Sequence, residues 1–570
     1  MDGSSRPEMT AGGAIFVKLK ALGVDCVFTN SGTDFPPIIE GLAAAGAAKI
    51  PLPRPVIVPH EHVALGMAHG YYFATGKAQA VMLHTNVGLA NGAIGAINAA
   101  TDHVPVILMS GRTPATERDR FGGRTVPIGW GQEMRDQTAL VRESCKWDYE
   151  LRFPEQVGEL LDRAHGVALS TPKGPVYLSL PREVLCESCP TDGLEEPARM
   201  APAVAGARAV DIEQAAELLA AARRPVIFAQ RGAGSEAGFE TLDRLADEWA
   251  IPVCHYWACA LALGSDHPMN VGDDPLPWIE AADVLLVLDS LAPWSPDTHR
   301  PQADAKVIQM GPNPLYSRFP VRNFRSDISI ACELEEGLAQ LYQAMQPHKA
   351  AGATARGDRF SAVAKASGRI RAAAARQAEA GERQPMTKAF VGKCLSEAIA
   401  GRDAVVLSEL GVPLSSLTLN RHNSWRQEPH SGGLGWSVPC AMGMKLGDPD
   451  RFVVATMGDG SYMFANPTAC HQVMEAYDIA VLIIVVNNGE WGAVRHSVKG
   501  MYPDGYAAGA NVMPMTALSP SPDFSLTAAA SRVWAKKVTD PLALPDALAE
   551  AVKIVAEDRR PALLDVSVGD

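Results

Sequence analysis

Short runs of Val, Ile and Leu separated by Ala- and Gly-rich helical stretches recur along the chain, and this alternation constrains its fold more than any other feature. Runs that stay apolar at nearly every position suit strands buried on both faces, the condition of a parallel sheet covered by helices. The first group is DCVFTN (25–30), PVIVPHE (55–61), AVMLHT (80–85), PVILMSG (105–111) and GPVYLSLP (174–181). The second is RPVIFAQRG (224–232), IPVCHYW (251–257), ADVLLVLDS (282–290) and AKVIQMG (305–311). The third is AVVLSE (404–409), FVVATMG (452–458), AVLIIVVNN (480–488) and ALLDVSV (562–568). Two stretches without strand character separate them: 186–206, rich in Pro, Gly and charge, reads as a linker, and 347–384 contains an Ala/Arg/Lys-rich segment suited to an exposed helix. The expectation is α/β, three doubly wound parallel-sheet domains over 1–187, 207–346 and 385–570.

Length agrees, since 570 residues exceed one ordinary core and about 150 residues per domain allows three or four. The formal net charge of -13, with no long Lys/Arg cluster, gives a nucleic-acid backbone nothing to bind. The N-terminus MDGSSRPEMT lacks the pattern of a leader, and the apolar run Ala480 to Val486 is too short to span a bilayer, so no membrane association and a cytoplasmic location are expected. Ten cysteines are scattered; Cys186 and Cys189 alone have Cys-x-x-Cys spacing, without a second pair, and free thiols in a reducing compartment are the simplest account.

Chemistry concentrates in MGDGSYMFANPTACHQVMEAYDIAVLIIVVNNGEWGAVR (457–495). FVVATM reads as a buried strand, GDG as a tight turn, Ser461 onward as a helix, and AVLIIVV as the next buried strand, ending at Asn487 and Asn488. Both polar clusters therefore fall at strand C-termini, the edge where open parallel sheets bind ligands. Asp459 and Asn488 offer hard oxygen ligands, and the Glu490 backbone carbonyl can add a third, for magnesium or calcium on a diphosphate. By itself GDG is equally an ordinary turn whose Asp caps a helix.

This segment resembles the metal loop of the thiamine diphosphate-dependent decarboxylase and carboligase family, in which GDG followed by NN holds magnesium and the cofactor's diphosphate. SGGLGWSVPCAMGMKLGDPDRFVVATMGDG (431–460) resembles the family's approach to that loop, with Leu434 where a bulky apolar residue props the cofactor into a bent shape. The resemblance also implies that Asn91, Glu409, Gly411, Gly433, Gly458, Gly460, Ser461 and Trp491 lie around the cofactor.

Glu61, in VIVPHEHVALGMAHGYYFATGK, stands at the end of an apolar strand and before an Ala/Gly-rich helix, where a carboxyl is expected to be partly desolvated and able to share a proton with a ligand nitrogen. Taken alone it is as readily a helix cap. The family keeps a glutamate at this strand end to bond the cofactor's aminopyrimidine, which makes Glu61 the expected catalytic residue. In LHTNVGLANG (83–92) His84 stands where many members carry small residues, and a similar Leu-His-Ser segment marks the benzoylformate decarboxylases, whose histidine handles protons; His84 is the implied acid/base. NSGTDFPPI (30–38) and NNGEWGAVR (487–495) lean the same way, with Thr33 at a serine that meets substrate carboxylate, although Ser-Gly-Thr-Asp is equally a plain turn. A second histidine of those enzymes has only weak candidates, His299 beside Trp294 in LAPWSPDTHRP.

RGAGSEAG (231–238) follows a strand but departs from dinucleotide spacing. LDSLAPWSPDTHR replaces the flavin-binding segment of acetolactate synthases, so FAD is not expected. The resemblance implies thiamine diphosphate and Mg2+, residues 1–187 as an aminopyrimidine-binding domain, 207–346 as a central domain and 385–570 as a diphosphate-binding domain. It implies a homodimer or dimer of dimers acting on small 2-keto acids or aldehydes, by non-oxidative decarboxylation with possible carboligation. The alternatives are an acetolactate synthase-like carboligase and a non-catalytic thiamine diphosphate-binding protein. Which keto acid is used depends on loops around Trp491, His496, Tyr502 and Tyr506.

Overall fold

The computed structural model describes residues 9–350, 352–510 and 512–569. The chain divides into two compact units. The first runs to Ala203 and includes Pro429–Asp450 and Ala465–Ile479; the second is Val204–Glu428, Arg451–Phe464 and the chain from Ala480 onward. Three parallel sheets of the expected α/β kind organise them.

In the first unit six parallel strands lie in the order Arg54–Ile57, Cys26–Thr29, Gln79–Leu83, Val106–Arg112, Val176–Pro181, Asp148–Glu150. Its inner strands are buried at nearly every residue, which is why they read as unbroken apolar runs. Edge strands are buried on less of their surface and carry weaker patterns. Asp148–Glu150 escapes the sequence reading altogether, and PVIVPHE pairs only over Arg54–Ile57 before the helix Glu61–Thr75 begins. The supposed linker from residue 186 starts inside the fold: Ser188–Cys189 pairs antiparallel with Met9–Thr10, and Cys189 and Leu194 join the core.

The helix Glu61–Thr75 packs on Ser437–Gly447 through small residues, which lets the two backbones approach closely. A Cβ at Gly70 would lie 1.8 Å from the Cys440 carbonyl oxygen, and one at Gly443 would lie 1.9 Å from that of Met67. Helix propensity alone favours alanine over glycine by ~1 kcal/mol. Here the overlap wins, and Gly70→Ala is expected to destabilise the first unit by about 3 kcal/mol in denaturant unfolding. An unchanged or raised midpoint would show that the contact is not as close as described.

In the second unit a five-stranded parallel sheet runs Val253–Cys254, Pro225–Ala229, Val284–Leu288, Lys306–Gly311, Ile328–Ala331. A six-stranded one runs Trp425–Gln427, Ala404–Glu409, Phe452–Gly458, Leu482–Asn487, Ala562–Ser567, Trp534–Val538. The edge strands Ile328–Ala331, Trp425–Gln427 and Trp534–Val538 again leave little trace in the sequence, being short or partly exposed. One continuous core joins the two sheets, and the Trp425 indole donates to the Ala258 carbonyl at 3.1 Å. The Ala/Arg/Lys-rich segment forms the mostly exposed helix Ala353–Glu379. All ten cysteines are free, and among the described residues no helix is long and apolar enough to cross a membrane.

Candidate active site

Glu61 is the first residue of its helix, but its carboxylate does not serve as a cap. Asn30 Nδ2 donates to Oε1 at 2.9 Å and Asn91 Nδ2 to Oε2 at 2.6 Å, so side chains from a neighbouring strand end and the next helix fix its plane. Asn98, buried in that same helix, donates to the Gly433 carbonyl at 2.9 Å and accepts from Ser431 Oγ at 2.7 Å. His62 Nε2 lies 3.2 Å from the Gly435 carbonyl oxygen. Together they clamp the loop on both sides of Leu434, a partly buried side chain rather than a fully buried core one. Gly433 is required there because a Cβ would stand 2.4 Å from Asn98 Oδ1.

His84 follows the next strand and faces Asp34, its Nδ1 2.5 Å from Oδ1. That hydrogen bond raises the imidazole pKa above its ordinary value against the opposing effect of burial, so His84 keeps its proton further into the neutral range. Its Nε2 lies 3.2 Å from the Gln132 amide nitrogen. Asp34 is the residue after Thr33 in the Ser-Gly-Thr-Asp turn, and Gly32 leaves room for the ring, since a Cβ there would fall 2.2 Å from it. Thr33 itself is exposed, and its carbonyl accepts from Arg182 Nη1 at 3.3 Å.

In the second unit the expected tight turn at GDG does not occur. The strand Phe452–Gly458 passes directly into the helix Asp459–Phe464, and neither Gly458 nor Gly460 has positive φ. Gly460 is glycine for a different reason: a Cβ would sit 2.2 Å from the Trp491 ring that packs on it. Asp459 is 2% exposed and Ser461 is also buried. Asp459 Oδ2 accepts the Gly489 amide at 3.0 Å. Burial raises its carboxyl pKa, offset only in part by amides of Gly460 and Gly489, which leaves a buried acid suited to a cation.

The two asparagines have different partners. Asn487 Nδ2 donates to the buried Asp565 at 3.0 Å, holding two strand ends together, whereas Asn488 Oδ1 accepts from the Glu490 amide at 3.2 Å. The Glu490 carboxylate is taken by Arg495 at 2.7 Å, and its carbonyl oxygen, which accepts the Gly492 amide at 2.9 Å, keeps a second lone pair that a metal could use. One carboxylate, one amide oxygen and one carbonyl fit a magnesium ion that is also held by a diphosphate. Such a set contains no cluster of three or more His, Cys, Asp or Glu, and none occurs among the described residues.

Glu409, fully buried, ends the strand before Gly411, whose backbone presses on Thr456. Nearby Glu428 is pushed up to about 8 by burial and then by the Glu409 charge. The folded chain thus retains a proton that the unfolded chain releases near its ordinary 4.5, so this pair makes stability fall as pH rises from about 4.5 to about 8. Glu428→Gln is expected to flatten that slope and to stabilise the protein at pH 8 by on the order of 2–4 kcal/mol. Unfolding midpoints at pH 5 and pH 8 check it; an unchanged slope would refute it.

The other sequence candidates have structural partners. His299 Nδ1 accepts from the Ser295 amide at 3.1 Å, and Trp294 is buried between Phe228 and Phe324. At the strand ends of the central sheet Tyr316 donates to Asp289 at 2.7 Å, with the Arg231 and Arg322 guanidiniums over its ring. Sequence reasoning missed Asn30, Asp34 and Asn98; the first two stand in NSGTDFPPI (30–38) as polar residues at a strand end and in a turn.

Polar side chains at the C-terminal ends of parallel strands mark the edge where open α/β sheets bind ligands, and the comparisons say which family the chain belongs to. Three models match: the thiamine pyrophosphate enzyme N-terminal TPP binding domain over residues 9–140, the central domain over 212–341 and the C-terminal TPP binding domain over 413–566. The chain belongs to the thiamine pyrophosphate enzyme family. It is similar to a probable 2-ketoarginine decarboxylase of Pseudomonas aeruginosa, 27% identical over 91% of this chain and 87% of that one. It is also similar to the acetolactate synthase large subunit of Lactococcus lactis, 23% identical over 96% and 91%. The fold matches a 4-hydroxybenzoylformate decarboxylase of Rhodococcus jostii, TM-score 0.77 at 23% identity over 98% and 99% of the chains. It matches a benzoylformate decarboxylase of Polynucleobacter necessarius with TM-score 0.76 at 19% identity over 98% of each.

Proposed function

We propose that this protein is a thiamine diphosphate- and magnesium-dependent enzyme that cleaves the carbon-carbon bond next to the carbonyl of a 2-keto acid, releasing carbon dioxide. The observation that carries the reading is Glu61, with both carboxylate oxygens fixed by Asn30 and Asn91, in a chain that also holds the buried Asp459 beside the Asn488 loop. When bound, the cofactor supplies a nucleophilic carbon and an electron sink.

The chain's residues supply the rest. Residues 1–187 bind the aminopyrimidine through Glu61 and Asn91, and Leu434 props the cofactor. Residues 385–570 bind the diphosphate and metal through Asp459, Asn488 and the Glu490 carbonyl, with Glu409, Gly411, Gly433, Gly458, Gly460, Ser461 and Trp491 shaping the surround; residues 207–346 form the central domain. Glu61 would hold the pyrimidine nitrogen of the bound cofactor and exchange a proton with it. His84, whose pKa the Asp34 hydrogen bond raises, gives a proton to the carbon that carbon dioxide leaves, and the Thr33 hydroxyl binds the substrate carboxylate. The protein acts in the cytoplasm as a homodimer or dimer of dimers, so full activity at a gel-filtration mass near 60.6 kDa would contradict that assembly.

The test is a panel of aromatic and aliphatic keto acids with cofactor and magnesium, assayed for carbon dioxide and for coupled products. Carbon dioxide with free aldehyde supports decarboxylation. A coupled product from pyruvate alone supports carboligation, which the similarity to acetolactate synthases favours. Cofactor binding without any turnover would leave a binding protein.

A further inference from the structure

A pocket of about 320 Å³, counting the part open to solvent, lies at the C-terminal strand ends of the first unit's sheet. Thr33, Thr85, Arg112, Gln132 and Arg182 line it, and Asp34 is the single acidic side chain on its wall. Asp34 is already bonded to His84. Arg112 is likewise engaged, with Glu150 at 2.5 Å and Glu133 at 3.0 Å. Arg182 differs. It donates to the Gly122 carbonyl at 2.8 Å, to the Thr33 carbonyl at 3.3 Å and to the Gly123 carbonyl, and among the described residues no carboxylate pairs with it. A guanidinium has five N–H donors, so those three bonds leave two, and the full charge, for another partner.

Thr85 gives an independent sign. It is 2% exposed and its hydroxyl has no hydrogen-bond partner. Its backbone is held at φ +42°, an unfavourable conformation for a β-branched residue. A buried hydroxyl without a partner costs free energy that a ligand oxygen would recover. Two donors therefore wait on an acceptor in a pocket whose acid is already occupied.

The acceptor's place in the reaction follows from charge. A carboxylate that leaves as carbon dioxide loses its charge on the way to the transition state, so a cation paired with it stabilises the ground state more and slows the step. Arg182 suits an anionic group that does not react. We infer that the pocket holds a second carboxylate of the substrate, and that the enzyme selects 2-oxo dicarboxylic acids through Arg182 and Thr85. The inference rests on the keto-acid reading above.

The test combines turnover with binding on the holoenzyme. 2-Oxoglutarate is expected to exceed 2-oxopentanoate, which lacks the second carboxylate, by about 100-fold in kcat/KM, chiefly through KM. 2-Ketoarginine, with a cationic end, is expected to be poorer still. Arg182→Met should reduce the first preference to within about 3-fold. Glutarate, an unreactive probe, should bind by calorimetry and lose about 10-fold in affinity in Thr85→Val, a β-branched replacement that keeps the shape. Because that variant removes an unpartnered hydroxyl, its Tm should be unchanged or higher, which separates loss of binding from loss of fold. Preference for 2-oxopentanoate, or glutarate affinity equal in wild type, Arg182→Met and Thr85→Val, would overturn the inference. Glutarate binding that depends on both residues, with no carbon dioxide from any keto acid, would support the pocket and overturn the decarboxylase reading instead.

Discussion

Glu61→Gln is expected to lower turnover at least 100-fold while leaving the protein folded and able to bind its cofactor. A positioned acid/base contributes about 10²–10⁴ to a rate, and glutamine keeps the shape without a carboxyl group that can take up and release a proton. The surroundings sharpen the expectation. Asn30 and Asn91 both donate toward Glu61. A carboxamide offers one oxygen and one NH2, so one asparagine would meet a donor instead of an acceptor and must turn away, costing about 1–2 kcal/mol. Steady-state turnover, with an unfolding curve as control, measures both effects. Full turnover in a variant that binds cofactor would contradict the role given to Glu61.

Asp459→Asn is expected to act with opposite signs on binding and on stability. Loss of the proposed anionic ligand should weaken magnesium-dependent cofactor binding by about 30–100-fold, the range of a charge-assisted contact. The apo-protein should gain stability at neutral pH. Burial raises the native Asp459 pKa above its unfolded value, so the folded chain holds the proton longer and stability is lost as pH rises through that interval. Asparagine has no such loss and can still accept the Gly489 amide. Calorimetry with thiamine diphosphate and magnesium, beside apo-protein unfolding at pH 7, checks both signs. Unchanged cofactor affinity would remove Asp459 from the metal site.

How much was legible in the sequence follows from what each residue's role depends on. Strands such as Gln79–Leu83 and Leu482–Asn487 are buried on both faces, and that condition is written in consecutive residues. Asp148–Glu150 and Trp425–Gln427 are edge strands, set by a neighbour distant in sequence and not by their own pattern. The site divides in the same way. Glu61, His84, Asp459 and Asn488 stand at the ends of readable strands or at the start of the helices that follow. Asn30, Asp34 and Asn98 matter because of what they touch, and those partners lie 31, 50 and 335 residues away. The spacing of GDG also suggests a turn, whereas the glycine at 460 is required by the Trp491 ring from a later loop, an effect no local pattern carries.

Exchange of the proton at the thiazolium C2 into D2O tests most directly whether Glu61 activates a bound thiamine diphosphate, and it needs no choice of substrate. Rapid exchange is expected on the wild-type holoenzyme, with a fall of about 100-fold or more in Glu61→Gln at equal cofactor occupancy. Equal exchange rates in the two proteins would contradict that role.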